Sequence, residues 1–298
     1  MAQATHVETE LADQPACWRR AAGLAADEAV GGALPSPGER VAVVGCGTSF
    51  FMARAYAALR EGAGQGETDA FAASEFPSGR RYDRIVALTR SGTTTEVLAL
   101  LAGVRGTVRT TAITADPATP VRDAADDLIV LDFADERSVV QTRFATTALT
   151  LLRARLGLHT EAVAADGERA LALPLPDGLT ECTQFTFLGR GWSVGLAEEG
   201  ALKMREASLS WTEAYPAMEY RHGPISITTG GTATWMLGDA PDGLAEQVAA
   251  TGGLWVAGRL DPLAELVRVQ RLALAIARRR GLDPDSPRHL TRSVILPA

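Results

Sequence analysis

The chain has little cysteine, few aromatic residues and no excess of positive charge. Its three cysteines, Cys17, Cys46 and Cys182, are odd in number and far apart, which excludes a disulfide framework and a CxxC metal site. Thirty-six acidic residues against 29 basic ones give a formal net charge of −7. Because an acidic chain without a Lys/Arg block is poorly suited to nucleic acid, we expect no nucleic-acid partner. Any anionic ligand must be held locally, by backbone N–H groups and hydroxyls.

Long apolar runs are missing as well. No run approaches the roughly 18 apolar residues that a membrane-spanning helix needs, and the first residues, 1–6, lack the basic and apolar regions of a signal peptide. We therefore expect a cytoplasmic protein without membrane contact. No histidine has a neighbour at the spacing typical of metal ligands, so we expect neither a metal nor another cofactor. The four histidines are His6, His159, His222 and His289.

Short β-branched runs alternate with helical patterns along the chain, which predicts βαβ units and parallel sheets. The predicted strands are 40–44, 84–88, 110–114, 127–131, 185–188, 233–237, 253–257 and 293–296. The predicted helices are 18–30, 52–60, 94–104 and 270–280. A Pro/Gly-rich stretch at 174–178 is typical of a linker. We predict an N-terminal helical arm over 1–38, a first domain over 39–172 and a second over 179–298.

The two halves resemble each other. A shift of 144 positions pairs a strand, a Gly-x-Gly turn, a hydroxyl residue and small helical residues in one half with the same features in the other. The pairs are Gly45 with Gly189, Gly47 with Gly191, Ser49 with Ser193, Ala53 with Ala197 and Ala57 with Ala201. This agreement predicts a tandem duplication.

A glycine-rich turn, Gly45-Cys46-Gly47-Thr48-Ser49, follows the first predicted strand. Glycines let the backbone approach an anion, and the next helix offers free N–H groups to it. A dinucleotide site needs a third glycine and an acid for the ribose, but Phe50 occupies the position of that glycine. The turn therefore favours a monophosphate over a dinucleotide.

A second turn, Thr89-Arg90-Ser91-Gly92-Thr93-Thr94-Thr95-Glu96, follows the strand 84–88 and is rich in hydroxyls. Ligands of open parallel sheets bind beyond the carboxyl ends of the strands, so this turn is a second candidate anion site. The alternative is helix capping by Ser91 or Thr93, with Glu96 in the first turn of the helix.

Charged groups lie further along the chain. Glu199, Lys203 and Glu206 share one helix face, where a solvated ladder of ion pairs is the alternative to a site. His222 precedes Gly223-Pro224, where a helix cannot continue, and a surface or capping histidine is the alternative there.

Taken together, these motifs resemble the sugar isomerase (SIS) family, and most closely the isomerase half of its glucosamine-6-phosphate synthases. The resemblance runs from about residue 41 to 294. It rests on Gly45–Ser49, Ser91–Thr94, Glu199–Lys203, Glu213–Tyr215 and Arg221–Pro224, in the order and spacing of the family. It implies an α/β protein of two flavodoxin-like SIS domains, each a parallel sheet flanked by helices. It also implies a phosphosugar ligand and a homodimer with sites near the subunit interface.

The resemblance also implies roles for single residues. Glu206 matches the residue that moves a proton between C1 and C2, Lys203 its neighbour, and His222 the ring-opening histidine that the partner subunit contributes. The residues that match substrate-binding positions, or lie beside them, are Gly47, Thr48, Ser49, Thr89, Arg90, Ser91, Thr94, Glu199 and Arg292.

The chain departs from the synthase pattern at three points. About 40 residues before the first strand, beginning Met1-Ala2, cannot hold a glutaminase domain, so we expect no ammonia from glutamine. Arg90 stands where the synthase has glutamine. Arg292 stands where it has the lysine that forms an imine with the open sugar. Because arginine stays protonated, an imine route is not expected here.

The sequence thus predicts an enzyme that opens an amino-sugar or hexose 6-phosphate and abstracts the proton at C2, giving isomerisation or deamination. Two alternatives stay open. If a 3-hydroxyl leaves instead, the enzyme is a dehydratase, a branch that an N-acetylated amine such as that of N-acetylglucosamine 6-phosphate favours. The other alternative is a phosphosugar sensor without catalysis, although no basic DNA-binding segment precedes residue 41.

Overall fold

The computed structural model describes residues 4–158 and 160–297. The helices are α1 His6–Ala12, α2 Gln14–Leu24, α3 Glu28–Ala33, α4 Thr48–Gly62, α5 Thr95–Val104, α6 Val121–Ala124, α7 Arg143–Arg155, α8 Thr160–Ala172, α9 Ser193–Ser208, α10 Leu244–Ala250 and α11 Pro262–Arg279. The strands are β1 Val41–Gly45, β2 Thr68–Ala72, β3 Arg84–Leu88, β4 Arg109–Thr114, β5 Asp127–Val130, β6 Gln184–Gly189, β7 Trp211–Pro216, β8 Thr232–Leu237 and β9 Leu254–Ala257.

The strands form two parallel sheets, one in each half of the chain. Their orders are β2-β1-β3-β4-β5 and β7-β6-β8-β9. The central strands β1 and β3 are buried along their whole length, as expected for apolar runs covered by helices on both faces. The first order is flavodoxin-like, and the second follows it with one strand fewer. The predicted fold, two parallel sheets flanked by helices, is confirmed.

The halves meet through direct contact of α4 with α9. At Gly195 the two helices approach so closely that a Cβ would lie 2.4 Å from the carbonyl oxygen of Phe51 and 2.9 Å from the amide nitrogen of Ala55. One apolar cluster contains residues of both sheets, such as Val43 and Phe187. The halves therefore share a continuous core, while the domain boundaries proposed above stay predictions.

The predicted strand at 293–296 is wrong. This segment is irregular and lies on the turn between β3 and α5. The Thr95 N–H donates to the Val294 carbonyl (3.1 Å), and the Leu296 N–H donates to Thr95 Oγ1 (2.9 Å). The backbone groups of the segment thus bond to a turn, although its apolar sequence is typical of a strand.

The helix predicted at 18–30 is interrupted, and two strands were missed. The interruption has a local cause: Asp27 caps α3 by accepting from the N–H groups of Ala29 (2.7 Å) and Val30 (3.4 Å). The missed strands, β2 and β7, lie at sheet edges and carry polar and half-buried residues. Their sequences therefore lack the continuous apolar run of a buried strand.

Candidate functional site

The two hydroxyl-bearing turns lie side by side, because β1 and β3 are neighbours and both turns follow the carboxyl ends of these strands. Gly47 starts α4 with φ +53°, a conformation that favours glycine. Gly45 is also required, since a Cβ there would lie 2.7 Å from Ser49. Thr48 and Ser49 are both buried in the first turn of α4.

The turn between β3 and α5 holds Thr89, Ser91 and Thr94. The Thr89 hydroxyl is buried and has no hydrogen-bond partner within the described part of the chain. The capping alternative is wrong, because the N-cap of α5 is Thr94 and no side chain accepts from its first N–H groups. Ser91 Oγ instead lies 3.1 Å from Ser293 Oγ and accepts from the Thr93 N–H (3.2 Å). These hydroxyls are thus not used to hold the helix.

A buried charge network crosses from α4 to α9. Lys203 Nζ donates to Thr48 Oγ1 (2.9 Å) and to Glu206 Oε2 (2.5 Å), and it lies 3.4 Å from Glu199 Oε1. Thr48 Oγ1 in turn donates to Glu199 (3.2 Å). The side chains of Lys203 and Glu199 are 1% exposed, whereas that of Glu206 is 18% exposed. The solvated-ladder alternative is therefore wrong for this helix face.

Burial distinguishes the carboxyl group of Glu199 from that of Glu206. It raises the pKa of Glu199 to about 8, although Lys203 acts in the opposite direction. Burial lowers the pKa of Lys203, but the carboxylates of Glu199 and Glu206 outweigh it and leave that pKa raised. Lys203 therefore favours its ammonium form, whereas burial favours the protonated form of Glu199. Glu206, whose side chain is the most exposed of the three, accepts a hydrogen bond from Lys203.

Both arginines of the predicted substrate-binding set make contacts inside the protein. The buried Arg90 guanidinium donates to the carbonyls of Ser138 (3.1 Å) and Arg292 (2.8 Å). The Arg292 guanidinium donates to the Glu136 carbonyl and to Asp135 Oδ1 (2.5 Å). Within the described residues, neither guanidinium hydrogen-bonds to a hydroxyl of the two turns.

His222 lies apart from this network. It ends a 3₁₀ turn after β7 and is exposed. Over residues 4–158 and 160–297, no hydrogen bond or ion pair joins His222 to Glu206 or Lys203. The chain alone thus brings together the hydroxyl turns, Glu199, Lys203 and Glu206, and leaves the histidine outside.

Two residues of this region were missed by the sequence reasoning. Ser293 was assigned to a strand, and Glu136 carries no motif. Glu136 is fully buried and accepts from the N–H groups of Thr142 (2.5 Å) and Arg143 (2.8 Å). Only a three-dimensional contact could have found either residue, because Ser293 lies far in sequence from Ser91 and Glu136 lies far in sequence from Arg90.

The architecture is that of phosphosugar isomerases. No family model matches the chain. A glucosamine-6-phosphate deaminase from Thermotoga maritima superposes with a TM-score of 0.84 at 25% identity, covering 98% of this chain and 100% of that one. The C-terminal domain of a glucosamine-fructose-6-phosphate aminotransferase from Francisella tularensis gives 0.83 at 20% identity, covering 96% and 99%.

Sequence relatives agree with the structural ones. The glutamine–fructose-6-phosphate aminotransferase (isomerizing) of Methanothermobacter thermautotrophicus is 28% identical over 305 residues, covering 86% of this chain and 51% of the relative. That of Bacteroides thetaiotaomicron is 29% identical over 315 residues, with the same coverage. The chain thus spans about half the length of these relatives. The resemblance to the sugar isomerase family is confirmed. Within the described residues, no helix is long and apolar enough to cross a membrane.

Proposed function

We propose that the chain is an enzyme that converts an amino-sugar or hexose 6-phosphate by opening its ring and abstracting the proton at C2, giving isomerisation or deamination. One observation carries the proposal: Lys203 links the first turn of α4 to the half-buried carboxylate of Glu206. This arrangement puts a base beside the hydroxyl turns, on helices that are in direct contact. The relatives, whose names include fructose 6-phosphate and glucosamine 6-phosphate, support the substrate class.

The proposed phosphate site uses hydroxyls and backbone N–H groups without a metal. The proposed ligands follow the carboxyl ends of β1 and β3: they are Ser49, Ser91, Thr94 and Thr89, whose hydroxyl has no partner among the described residues. Neutral donors at a helix N-terminus suit a phosphate dianion. This choice agrees with the net charge of −7, because the anion is then held by local groups.

The chemical step assigns each charged group a task. The Glu206 carboxylate takes the proton from C2 of the open aldehyde, and the electron pair of the C–H bond forms a C1–C2 double bond. The C1 oxygen takes up a proton from water, which gives an enediol or an enolamine. Return of the proton to C1, with release to water of the proton on the C2 hydroxyl, gives the ketose from a hexose phosphate. On an amino sugar the same return gives an imine, which water hydrolyses to ammonia and the ketose phosphate. General base catalysis of this kind contributes about 10²–10⁴-fold. Lys203 orients the carboxylate through its hydrogen bond.

We also propose that two chains form a homodimer and share their sites. His222 is exposed, and so are apolar residues of the same stretch: Trp211 is 72% and Met218 47% exposed. A symmetric contact between two such stretches would cover these side chains and bring His222 of each chain to the other chain's Glu206. The histidine would then open the ring.

The test is product analysis in D₂O. The chain is incubated with glucosamine 6-phosphate, fructose 6-phosphate and N-acetylglucosamine 6-phosphate, and products are followed by NMR. We expect deuterium at the α-carbon, with either an aldose phosphate formed from fructose 6-phosphate or a ketose phosphate and ammonia formed together from glucosamine 6-phosphate. An unsaturated sugar would establish the dehydratase alternative. Binding without exchange of the C2 proton would establish the sensor, and absence of binding would refute the substrate class. Cytoplasmic location stays a prediction.

A further inference from the structure

The two arginines at which the chain departs from the synthase pattern contact each other. Arg90 Nη2 donates to the main-chain carbonyl of Arg292 at 2.8 Å. The guanidinium of Arg90 is held from the other side by the Ser138 carbonyl (3.1 Å) and by Glu136, whose Oε2 lies 3.8 Å from Arg90 Nη1. Arg90 is 2% exposed and Glu136 is fully buried. Buried contacts therefore fix the Arg90 side chain, which in turn holds the backbone at Arg292.

Ser293, the residue after Arg292, contacts the hydroxyl turn between β3 and α5. Ser293 Oγ lies 3.1 Å from Ser91 Oγ and 3.0 Å from Thr93 Oγ1. The Thr95 N–H, at the start of α5, donates to the carbonyl of Val294 (3.1 Å). The Ser293 hydroxyl thus stands among the hydroxyls of the turn, although it comes from a segment about 200 residues away. A serine hydroxyl both donates and accepts, so Ser293 can serve an anion as well as Ser91 can.

We propose that Ser293 is a further ligand of the substrate's phosphate group and that Arg90 is a positioning residue that fixes Ser293 in place. The proposal rests on the function proposed above. Arginine suits this task because its planar fork donates to two carbonyls at once and never loses its proton. Neither the single ammonium of lysine nor the amide of glutamine spans both carbonyls while remaining paired with Glu136.

The positioning role is tested without any sugar, by hydrogen exchange on the ligand-free protein. In Arg90→Lys, we expect the amides of Thr95 and Leu296, which bond between the turn and the segment, to exchange at least about tenfold faster. Exchange in β3 and β4 should not change. If circular dichroism shows that Arg90→Lys does not fold, Arg90→Gln combined with Glu136→Gln replaces it, because this pair leaves no buried charge unpartnered. Unchanged exchange at both amides overturns the positioning role.

The ligand role is tested by calorimetric titration with fructose 6-phosphate and glucosamine 6-phosphate. We expect Ser293→Ala to bind the sugar phosphate that the wild-type chain binds about tenfold more weakly, since one hydrogen bond to a charged group is lost. Ser286→Ala, which removes an exposed hydroxyl from the same part of the chain, is the matched control and should bind as the wild type does. In Arg90→Lys, or in the double variant that replaces it, adding Ser293→Ala should weaken binding little further, because the hydroxyl is already misplaced.

The two proposals fail in different ways. If the wild-type chain binds neither sugar phosphate, the proposed function falls, together with the ligand role of Ser293, while the exchange experiment still decides the role of Arg90. If the wild-type chain binds and Ser293→Ala binds equally well, the ligand role is overturned and the proposed function stands. Full additivity of the Arg90 and Ser293 substitutions would overturn the link between them.

Discussion

The two halves of the chain have the same turns and helices but different side chains on them. Gly47 and Gly191 precede α4 and α9 with the same φ of +53°. Ser49 and Ser193 follow them, yet Ser193 is used internally: its Oγ accepts from the Arg190 N–H (2.9 Å) and donates to the Leu237 carbonyl (2.8 Å). The backbone of the repeat is thus retained where the chemistry is not.

The helices α4 and α9 also differ, and here the second half carries the chemical groups. Along α9, Glu199, Lys203 and Glu206 form the buried charge network, and a shift of 144 places Ala55, Leu59 and Gly62 at the same positions of α4. The turn after β8, residues 238–243, carries two aspartates, which repel an anion, where the turn after β3 carries hydroxyls. In our proposal the first half, together with Ser293 of the C-terminal segment, therefore binds the phosphate, and the second half moves the proton.

The largest expected effect tests the second half. Glu206→Gln keeps the shape and the hydrogen bond to Lys203 but removes the base, so turnover should fall by about 10²–10⁴-fold while binding of the sugar phosphate persists. Loss of the solvent-deuterium exchange at the α-carbon gives the direct measurement. Gly62→Gln puts the same side chain at the exposed counterpart in α4 and should leave turnover unchanged. Exchange at the wild-type rate in Glu206→Gln would leave Glu206 only a structural role.

A mixing experiment asks which chain's second half supplies the histidine. His222→Ala and Glu206→Gln should each be inactive, yet their mixture after exchange of subunits should regain roughly a quarter of wild-type activity, because half of the dimers then hold one intact shared site. Turnover before and after mixing is the measurement, with light scattering as the control for dimer formation. A monomeric mass with full wild-type activity would contradict the shared site.

The matched serines test the first half against the second. Ser49→Ala should weaken binding of the sugar phosphate about tenfold, by loss of a hydrogen bond to a charged group. Ser193→Ala should leave binding unchanged but lower the free energy of unfolding by about 1–2 kcal/mol, since the Leu237 carbonyl and the Arg190 N–H lose their partner. Calorimetry and urea unfolding separate the two results. Equal effects on binding would end the proposed division between the halves.

The smallest effect concerns the pH dependence of stability. The pKa of Glu199 rises from its ordinary value of 4.5 to about 8 on folding, so the folded chain holds a proton that the unfolded chain releases. This contribution is present below pH 4.5 and is lost as the pH rises through about 8. Glu199→Gln should therefore reduce the fall in unfolding free energy between pH 7 and pH 8.5 by roughly 1–2 kcal/mol. Urea unfolding at both pH values measures it, and an unaltered fall would show that Glu199 stays ionised.

Much of the fold could be predicted from the sequence, because the strands β1, β3, β6 and β8 are almost wholly buried and consist mostly of apolar residues. Two of the edge strands, β2 and β7, could not, since their half-buried polar residues carry no such signal. The site divides in the same way. Hydroxyl turns and the helix face of Glu206 show in local patterns, and the structure brings them together. The contacts of Arg90 with residues 138 and 292 could not be predicted, because they join residues that are distant in sequence and leave no local pattern.

The contact of α4 with α9 at Gly195 has a consequence for the size of the substrate. Ser49, one of the proposed phosphate ligands, begins α4, the proposed base Glu206 lies on α9, and the two backbones pack closely at Gly195. In our proposal this close packing fixes the distance between the bound phosphate and the carboxylate of Glu206. An aldose 5-phosphate, one carbon shorter, would hold its acidic C–H too far from Glu206 when its phosphate is bound. The chain should therefore discriminate between sugar phosphates by the number of carbons between the phosphate and the acidic C–H bond.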